Sequence, residues 1–382
     1  MYTRNLSISN DWSYFLFGPR GVGKSTWLRA TYPKAIYIDL LESQIYQKLL
    51  ASPWLLSEYF PKNWSDFVII DEVQRIPELL NEVHRLIEND KIKFILTGSS
   101  ARKLRRGGVN LLAGRALNYK MGPLMAEEAG EDFDLKSAIS FGMLPQVFNL
   151  KNNEEKIRYL SAYIETYLKE EVMTEGMTRN LSSFARFLEV ASFSVGSVLN
   201  MAEVARETMV SRKVVESYFE ILDDLMLGIQ IPAFTKRAKR EMVLKPKYYF
   251  FDTGVYLAIR PKHVLDTESE IGGAALENLF LQHMLALVTN EVDRYDISYY
   301  RTVSGSEVDF VVQSKNKLMA FEIKNSARYS LNWLRGLKQF GRDYPKADLF
   351  LLYTGREKMY VGNIQIIPVD EFLKDIRKIV LK

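Results

Sequence analysis

Gly18-Pro19-Arg20-Gly21-Val22-Gly23-Lys24-Ser25-Thr26 decides the fold of this chain, because it follows the apolar run Tyr14–Phe17 without a break and opens a helical segment, Ser25–Ala30. Its spacing is G-x-x-x-x-G-K-S. Closely spaced glycines after a strand let backbone N–H groups turn inward around phosphates. Lys24 can then reach the β and γ oxygens, Ser25 can ligate Mg²⁺, and the helix opened by Lys24 points its positive end at the anion. Residues Gly18 to Thr26 are therefore the candidate nucleotide-binding set, with ATP and Mg²⁺ the expected cofactors. A chance glycine-rich turn would not require a strand before it and a helix after it.

Working outward, Ala35–Leu40 reads as a second strand, which completes a βαβ unit. Phe67-Val68-Ile69-Ile70 is an uninterrupted apolar run, as expected of a strand buried on both faces, and it ends in Asp71-Glu72. At the carboxyl end of a parallel strand Asp71 would hold Mg²⁺ through water and Glu72 would activate the attacking water. Two exposed acids at a strand end are the plain alternative. A further strand, Lys93–Leu96, runs into Thr97-Gly98-Ser99-Ser100. Thr97 is the first choice for a polar group sensing the γ-phosphate or lytic water, Ser99 the second, and capping of the next helix the alternative for each.

This order of motifs resembles that of the AAA+ ATPases, and in particular those bacterial and archaeal ATPases that carry a DUF4143 domain; the resemblance covers the whole chain. It implies an arginine beyond the sensor strand that completes the site in cis or from a neighbouring subunit, and with it a homo-oligomer. Leu112-Ala113-Gly114-Arg115-Ala116 is similar to the L-x-G-R stretch found there. Arg115 is accordingly the candidate for offsetting charge on the γ-phosphate in the transition state. A structural ion pair for Arg115, and Arg102 in its place, are the alternatives.

With 382 residues the chain exceeds one ordinary core, so several domains are expected. The absence of cysteine excludes disulfides and thiolate zinc sites, and the three histidines, His84, His263 and His283, are too scattered for a histidine metal cluster. Any metal must sit on oxygen ligands. Residues Met1–Asp11 lack the pattern of a secretory signal, and no apolar stretch reads as long enough to span a bilayer, so the expectation is a cytoplasmic protein with no membrane partner. A net charge of +4 neither demands nor excludes nucleic acid. Basic residues do cluster, at Arg102, Lys103, Arg105 and Arg106, and again at Lys236, Arg237, Lys239, Arg240, Lys245 and Lys247. Each cluster reads either as a phosphate-facing patch or as a solvated loop.

From Leu124 to Leu150 helical signals are weak, and Phe141–Pro145 reads as a connector. Glu154–Val172 then carries Ile157, Leu160, Ile164 and Leu168 at helical spacing. Three helices follow, Phe184–Ala191, Asn200–Glu207 and Ser211–Leu227, with strand-like stretches flanking the basic segment 236–247. Helix, helix, long helix and basic hairpin is the pattern of a winged helix-turn-helix, with Ser211, Arg212 and Lys213 opening the recognition helix. Such domains serve DNA contact and protein contact alike, and Tyr218 and Phe219 read as core.

The last third begins with a helix, Ala274–Val288, bearing Glu277, and continues with the strand Ile297–Arg301. Glu307–Val312 and Leu318–Lys324 make a hairpin around the turn Ser314–Lys317, and Asp348–Tyr353 adds a later strand. Alternation along a strand projects Glu322 and Lys324 from one face, where Asp309 can join them from its neighbour. Two carboxylates can hold Mg²⁺ or Mn²⁺, Lys324 can stabilise developing charge, Glu277 can supply a third oxygen ligand, and Gln339, on a helix with Trp333 and Leu337, could assist. This constellation resembles the PD-(D/E)xK nuclease fold, with Asp309 as the isolated acid and Glu322-Ile323-Lys324 as the signature; Val308 stands where the motif has proline. Ordinary solvent-facing alternation is the other reading of E-x-K.

The expected fold class is therefore α/β: a P-loop NTPase parallel sheet over residues 1–150, a helical winged-helix-like region over 151–255, and a PD-(D/E)xK-like α/β domain over 256–382. The expected function is Mg²⁺-dependent ATP hydrolysis coupled to a nucleic-acid-directed, nuclease-like module. The expected catalytic set is Lys24, Glu72, Thr97, Arg115, Asp309, Glu322 and Lys324, and the metal ligands are Ser25, Asp71, Glu277, Asp309 and Glu322. A nucleotide-dependent switch whose C-terminal domain binds DNA or a protein partner without cleavage is the alternative.

Overall fold

Apolar runs too uniform to sit on a solvated face must be covered on both sides, and in the N-terminal third they build one parallel sheet. The computed structural model describes residues 2–99, 104, 112, 114–168, 180–261 and 267–381. The chain divides into two compact units, Met1–Gly122 with Asp224–Met226, and Pro123–Asp223 with Leu227–Lys382.

In the first unit the strands are β1 (Ser13–Phe17), β2 (Ile36–Asp39), β3 (Phe67–Asp71), β4 (Lys93–Gly98) and β5 (Ala116–Lys120), in the order β2-β3-β4-β1-β5. Every neighbouring pair is parallel. Helices α1 (Lys24–Thr31), α2 (Ser43–Ala51) and α3 (Leu79–Asp90) occur between them. The face of α3 formed by Leu79, Leu80, Val83 and Leu86 is buried, and with Phe15, Ile38, Val68, Ile70, Phe94 and Leu96 it belongs to one core. Because all five strands run the same way, their carboxyl ends share one edge, where ligands of open α/β sheets bind. β5 is an addition to the strands read from the sequence; its half-exposed residues, alternating weakly, give no buried-run signal.

In the second unit, the stretch read as poor in helix contains short helices at Ala126–Ala129, Leu135–Phe141 and Pro145–Asn149. They are too short to show periodicity, and local chemistry starts them: Asp134 accepts a hydrogen bond from Ser137 N, and Pro145 stands in the first turn. The helix Asn153–Ala162 passes into a π-helical stretch, Tyr163–Leu168, and the rest of its expected span lies outside the described residues. Helices Leu181–Ser192, Met201–Thr208 and Arg212–Asp224 are followed by the antiparallel pair β6 (Gly228–Ile231) and β7 (Lys247–Phe250). Phe184, Phe187, Tyr218 and Phe219 pack their rings together, which bears out Tyr218 and Phe219 as core.

The C-terminal sheet comprises β8 (Asp296–Arg301), β9 (Glu307–Gln313), β10 (Leu318–Lys324), β11 (Asp348–Tyr353), β12 (Met359–Val361) and β13 (Ile364–Pro368), in the order β12-β13-β11-β10-β9-β8. β8, β9 and β10 are antiparallel, β10 and β11 parallel, so the helix Arg335–Asp343 makes the crossover between them. The chain between β6 and β7 runs along β8: Phe234 N donates to Tyr299 O at 2.7 Å and Val243 N to Arg301 O at 3.0 Å. Thus the segment read as a basic hairpin tip is fastened to a sheet edge.

The helix Glu268–Val288 begins six residues before its expected start, at a capping box in which Thr267 and Glu270 serve each other's backbone N–H groups. Its stretch Glu270–Val288 is long and apolar enough, by length and composition, to cross a membrane, which corrects the sequence reading. The same stretch is 61% buried inside the protein, as a core helix is.

Candidate functional site

The phosphate loop hangs between β1 and α1. Gly21 and Gly23 have φ of 81° and 92°, the left-handed region in which a side chain would be strained. A Cβ at Gly18 would lie 2.2 Å from Met121 O, so this position too admits only glycine. Gly23 caps α1 without a side-chain hydrogen bond, and the first turn has no acidic residue, so the amide end carries no competing anion of its own. Lys24 is buried, its Nζ donating to Gly18 O at 2.6 Å and to Pro19 O at 3.1 Å. Val22 is fully buried, while Arg20 and Thr26 are exposed. Arg4, which the sequence reading missed, donates to Val22 O at 3.0 Å and to Gly122 O at 2.7 Å, so the N-terminal segment buttresses the loop.

Across from the loop, Asp71 ends β3 and is almost wholly buried. Its carboxylate accepts from three hydroxyls: Ser25 Oγ at 2.7 Å, Thr97 Oγ1 and Tyr37 OH. Tyr37, which the sequence reading missed, lies within β2, the strand next to β3, and the guanidinium of Arg29 lies 3.6 Å from its ring centroid. Glu72 adopts φ 59°, ψ 43°, a conformation that strains most side chains. Burial pushes its carboxyl above the usual range, and the charge of Lys24 opposes this. Its carboxylate accepts from Gln74 Nε2, which also reaches Ser99 Oγ at 3.2 Å. The loop's glycine cradle, free helix terminus and hydroxyl-carboxylate group fit a nucleotide and its cation.

The structure does not bring Arg115 to this loop in its own chain. Ala116 pairs with Ser13, at the amino edge of the sheet, whereas the loop follows Phe17 at the carboxyl edge. Arg115 Nε instead pairs with Glu88 on an exposed surface. Its alternative Arg102, the basic cluster Arg102, Lys103, Arg105 and Arg106, and also Ser100 and His263, lie outside the described residues.

A second cluster forms where β7, the helix Glu268–Val288, β9 and β10 come together. Phe321 pairs with Phe310, and the next step of that antiparallel register sets Glu322 opposite Asp309 on one face. Lys324 Nζ lies 2.7 Å from Glu322 Oε1 and 3.7 Å from Asp309 Oδ2, which also accepts from Ile323 N at 2.8 Å. Tyr249 OH donates to Glu277 Oε2 at 3.0 Å. Lys247, read from sequence as part of a basic run, is buried here, its Nζ 2.7 Å from Glu307 Oε1 and 3.8 Å from Asp309 Oδ1. Burial, reinforced by the charge of Asp309, pushes both Glu277 and Glu322 upward. For Lys247 burial works downward, but Glu277, Asp309 and Glu307 outweigh it and hold the amine above the ordinary lysine range. Among the described residues no group of three or more His, Asp or Glu side chains is arranged to hold a metal ion. Here the carboxylates are paired with lysines.

Gln339 is not brought to this cluster: it donates to Asp343 at 3.2 Å, which also accepts from Arg240 Nε at 2.8 Å and Tyr300 OH at 3.0 Å. Lys236 pairs with Asp296 at 2.9 Å. Of the second basic run, then, Lys236, Arg240 and Lys247 are engaged by acids, while Arg237, Lys239 and Lys245 are exposed. At the start of the third helix Arg212 pairs with Glu216, and Ser211 and Lys213 are exposed. His283 is buried, its Nε2 accepting from Ala126 N at 2.9 Å and its Nδ1 2.8 Å from Leu279 O.

A glycine loop at the carboxyl edge of a parallel sheet, facing a hydroxyl-bound carboxylate, defines a P-loop nucleotide-binding protein. Family models agree and add detail: an AAA domain matches residues 10–130, a domain of unknown function, DUF8612, matches residues 132–266, and a second domain of unknown function, DUF4143, matches residues 272–372. The chain thus joins an N-terminal AAA domain to a C-terminal DUF4143 domain. An uncharacterized protein of Mycobacterium tuberculosis is 26% identical over 366 residues, 94% of this chain and 80% of that protein. An uncharacterized protein of Haemophilus influenzae is 20% identical over 379 residues, 93% and 88% of the two chains. Among solved structures, the DNA clamp loader delta protein YqeN of Bacillus subtilis is similar at 13% identity with a TM-score of 0.24, covering 55% of this chain and 82% of its own.

Proposed function

We propose that this protein hydrolyses ATP with Mg²⁺ in its AAA domain and uses the cycle to drive a C-terminal domain that acts on nucleic acid at a metal-dependent, nuclease-like site. The observation that carries the first half is the Ser25–Asp71 hydrogen bond of 2.7 Å opposite the phosphate loop. Lys24 and the amides from Gly18 to Ser25 hold the phosphates; Ser25 and Asp71 hold the cation. When bound, Mg²⁺ neutralises charge on the phosphate oxygens. Glu72 takes the proton of the attacking water, and Thr97, bound to Asp71 and to the backbone of Glu72, fixes the polar floor on which that water sits. Arg115, at the opposite edge of its own sheet, can serve only the site of an adjoining copy.

For the second half, support comes from the strand order around β10 and from Asp309, Glu322 and Lys324 on one face, with buried Glu277 nearby. Asp309, Glu322 and Glu277 would hold the cation and Lys324 would steady charge on a phosphodiester. The three helices and hairpin before it follow the winged-helix order, and exposed Ser211, Lys213, Arg237, Lys239 and Lys245 are its available nucleic acid contacts. Residues 151–255 would thus direct the substrate, and 256–382 act on it.

Pairing of both lysines with the carboxylates favours a second reading, a nucleotide-dependent switch that binds DNA or a protein partner without cutting. Purified protein separates the two. Mg²⁺-dependent ATPase lost in Lys24→Ala, with Mn²⁺- or Mg²⁺-dependent DNA cleavage lost in Asp309→Ala and Lys324→Ala, supports the proposal. ATPase without cleavage leaves the switch, and cleavage surviving both C-terminal substitutions rules out the assigned site.

A further inference from the structure

The helix Arg335–Asp343 carries its cations on one side. Arg335, Lys338 and Arg342 recur at i, i+3 and i+7 and are all exposed, whereas Gly336, Leu337 and Phe340 are buried. Among the described residues no acid pairs with any of the three. The carboxyl of this helix, Asp343, is turned inward and already occupied, by Arg240 Nε at 2.8 Å, Tyr300 OH at 3.0 Å and Gln339 Nε2 at 3.2 Å. Arg335 and Lys338 stand in the first turn, where the helix dipole opposes positive charge, so their placement costs stability unless an anion meets them.

The basic segment between β6 and β7 lies against this helix. Arg240 joins the two through Asp343, Tyr344 OH donates to Lys236 O at 3.1 Å, and Phe234 packs on Phe340 and Tyr344. Arg237 and Lys239 on the segment are exposed, as is Lys346 just past the helix. Two basic runs far apart in sequence thus form one ridge. Its aromatic side chains, Phe234, Trp333, Phe340 and Tyr344, pack against the sheet core, so the ridge offers cations without a stacking platform. Single strands are held largely by stacking of their bases, while a duplex presents its phosphates outward. The amino end of the helix abuts the strand that bears Asp309, for Gly336 lies so close to Glu307 O that a Cβ there would clash.

We propose that this ridge binds a nucleic acid duplex by its phosphates, without reading base sequence, and that Arg335, Lys338 and Arg342 supply the main contacts. The inference names a substrate class and a surface for the nucleic-acid-directed reading given above, and rests on it. From Arg335 to Arg342 the helix rises about 10 Å, a length over which a duplex carries about six phosphates, so each cation can meet one. The segment between β6 and β7, fastened to β8 by backbone hydrogen bonds, holds Arg237 and Lys239 in fixed relation to the helix. A duplex on the ridge runs up to the strand that bears Asp309.

The test is fluorescence anisotropy of a labelled DNA duplex of mixed sequence with the full chain, in EDTA and over a range of salt, beside the single strand and poly-glutamate. Combining Arg335→Ala, Lys338→Ala and Arg342→Ala should weaken duplex binding at least ten-fold at low salt and reduce the slope of log K against log salt by about 3. Arg335→Lys with Arg342→Lys, which keeps the charge, should bind as the natural chain does, and so should Lys151→Ala, an exposed lysine elsewhere. Should the triple variant fail to fold, each single alanine variant should lower the slope by about 1. Duplex binding that survives the alanine substitutions overturns the proposal and leaves the nucleic acid to Ser211 and Lys213. Tighter binding of the single strand, or of poly-glutamate, overturns it in favour of that occupant. No binding of either nucleic acid by the natural chain overturns the nucleic-acid reading as well.

Discussion

Ser25 Oγ donates a 2.7 Å hydrogen bond to Asp71 Oδ2 across 46 residues of sequence, joining the first turn of α1 to the end of β3. Two further hydroxyls, from Thr97 and Tyr37, reach the same carboxylate. Three donors hold both of its oxygens, so the orientation of this carboxylate is set by the fold itself.

Ser25→Ala should therefore separate cation chemistry from nucleotide affinity. One donor and one cation ligand disappear, but the glycine cradle and Lys24 remain. Mg²⁺-dependent ATPase should fall by about 100-fold, the order seen when one preorganised polar group is removed. Binding of ATP measured in EDTA should change by less than about three-fold, within the range of an exposed contact. Equal loss in both measurements would mean that Ser25 merely supports the loop.

Glu72→Gln keeps the size of the side chain and an oxygen for Gln74 while removing the proton acceptor. The hydrolysis rate should drop by about 10²- to 10⁴-fold with nucleotide binding retained. On the proposed mechanism hydrolysis requires Glu72 ionised, and burial moves that ionisation above the usual carboxylate range. Its rate should fall on the acid side through that raised value. In Glu72→Gln this limb should be absent from the pH profile of the residual rate.

Sequence disclosed those parts of the site that lie in unbroken local patterns: the glycine loop after an apolar strand, and Asp71-Glu72 at the end of a fully apolar one. What it hid is carried by contacts between distant segments. Tyr37 reads as one more residue of a strand, and only its neighbour β3 shows that its hydroxyl meets Asp71. Arg4 has no local pattern, for its partners are backbone carbonyls at Val22 and Gly122. Lys247 was grouped with exposed basic residues because charge runs usually face water; the apolar stretch that follows it, Tyr248-Tyr249-Phe250, was the available sign that its strand is buried on both faces. Thr267 and Glu270, in contrast, were legible as a capping pattern and would have set the start of their helix correctly.

His283 makes stability depend on pH. Burial depresses its pKa from 6.5 to about 4, so the folded protein disfavours the proton that the unfolded chain accepts. The neutral ring's contribution is complete above about pH 6.5 and is lost progressively as pH falls through about 4, amounting to about 3 kcal/mol. Asp252 acts in the opposite sense, since burial raises its carboxyl to about 6 and the folded state gains as that proton binds. Denaturant midpoints measured at pH 7 and pH 4.5 should show Asp252→Asn more acid-sensitive than the natural protein and His283→Gln less so. Parallel pH curves for all three proteins would sink this assignment.

Gly98 offers a test of how Glu72 is held. A Cβ built there would lie 2.3 Å from Gln74 Oε1, closer than atoms can approach, so Gly98→Ala must push the Gln74 amide away. That amide links Glu72 to Ser99. Glu72 stands in a left-handed conformation, and without Gln74 its carboxylate loses a donor from the side chain two residues away. Misplacing a catalytic base by a fraction of an ångström lowers the rate without touching affinity. Gly98→Ala and Gln74→Leu should each reduce kcat by about ten-fold or more while leaving ATP affinity unchanged, and combining them should add little, because both act through one contact. Additive losses in the double variant would show instead that Gly98 matters for the packing of β4.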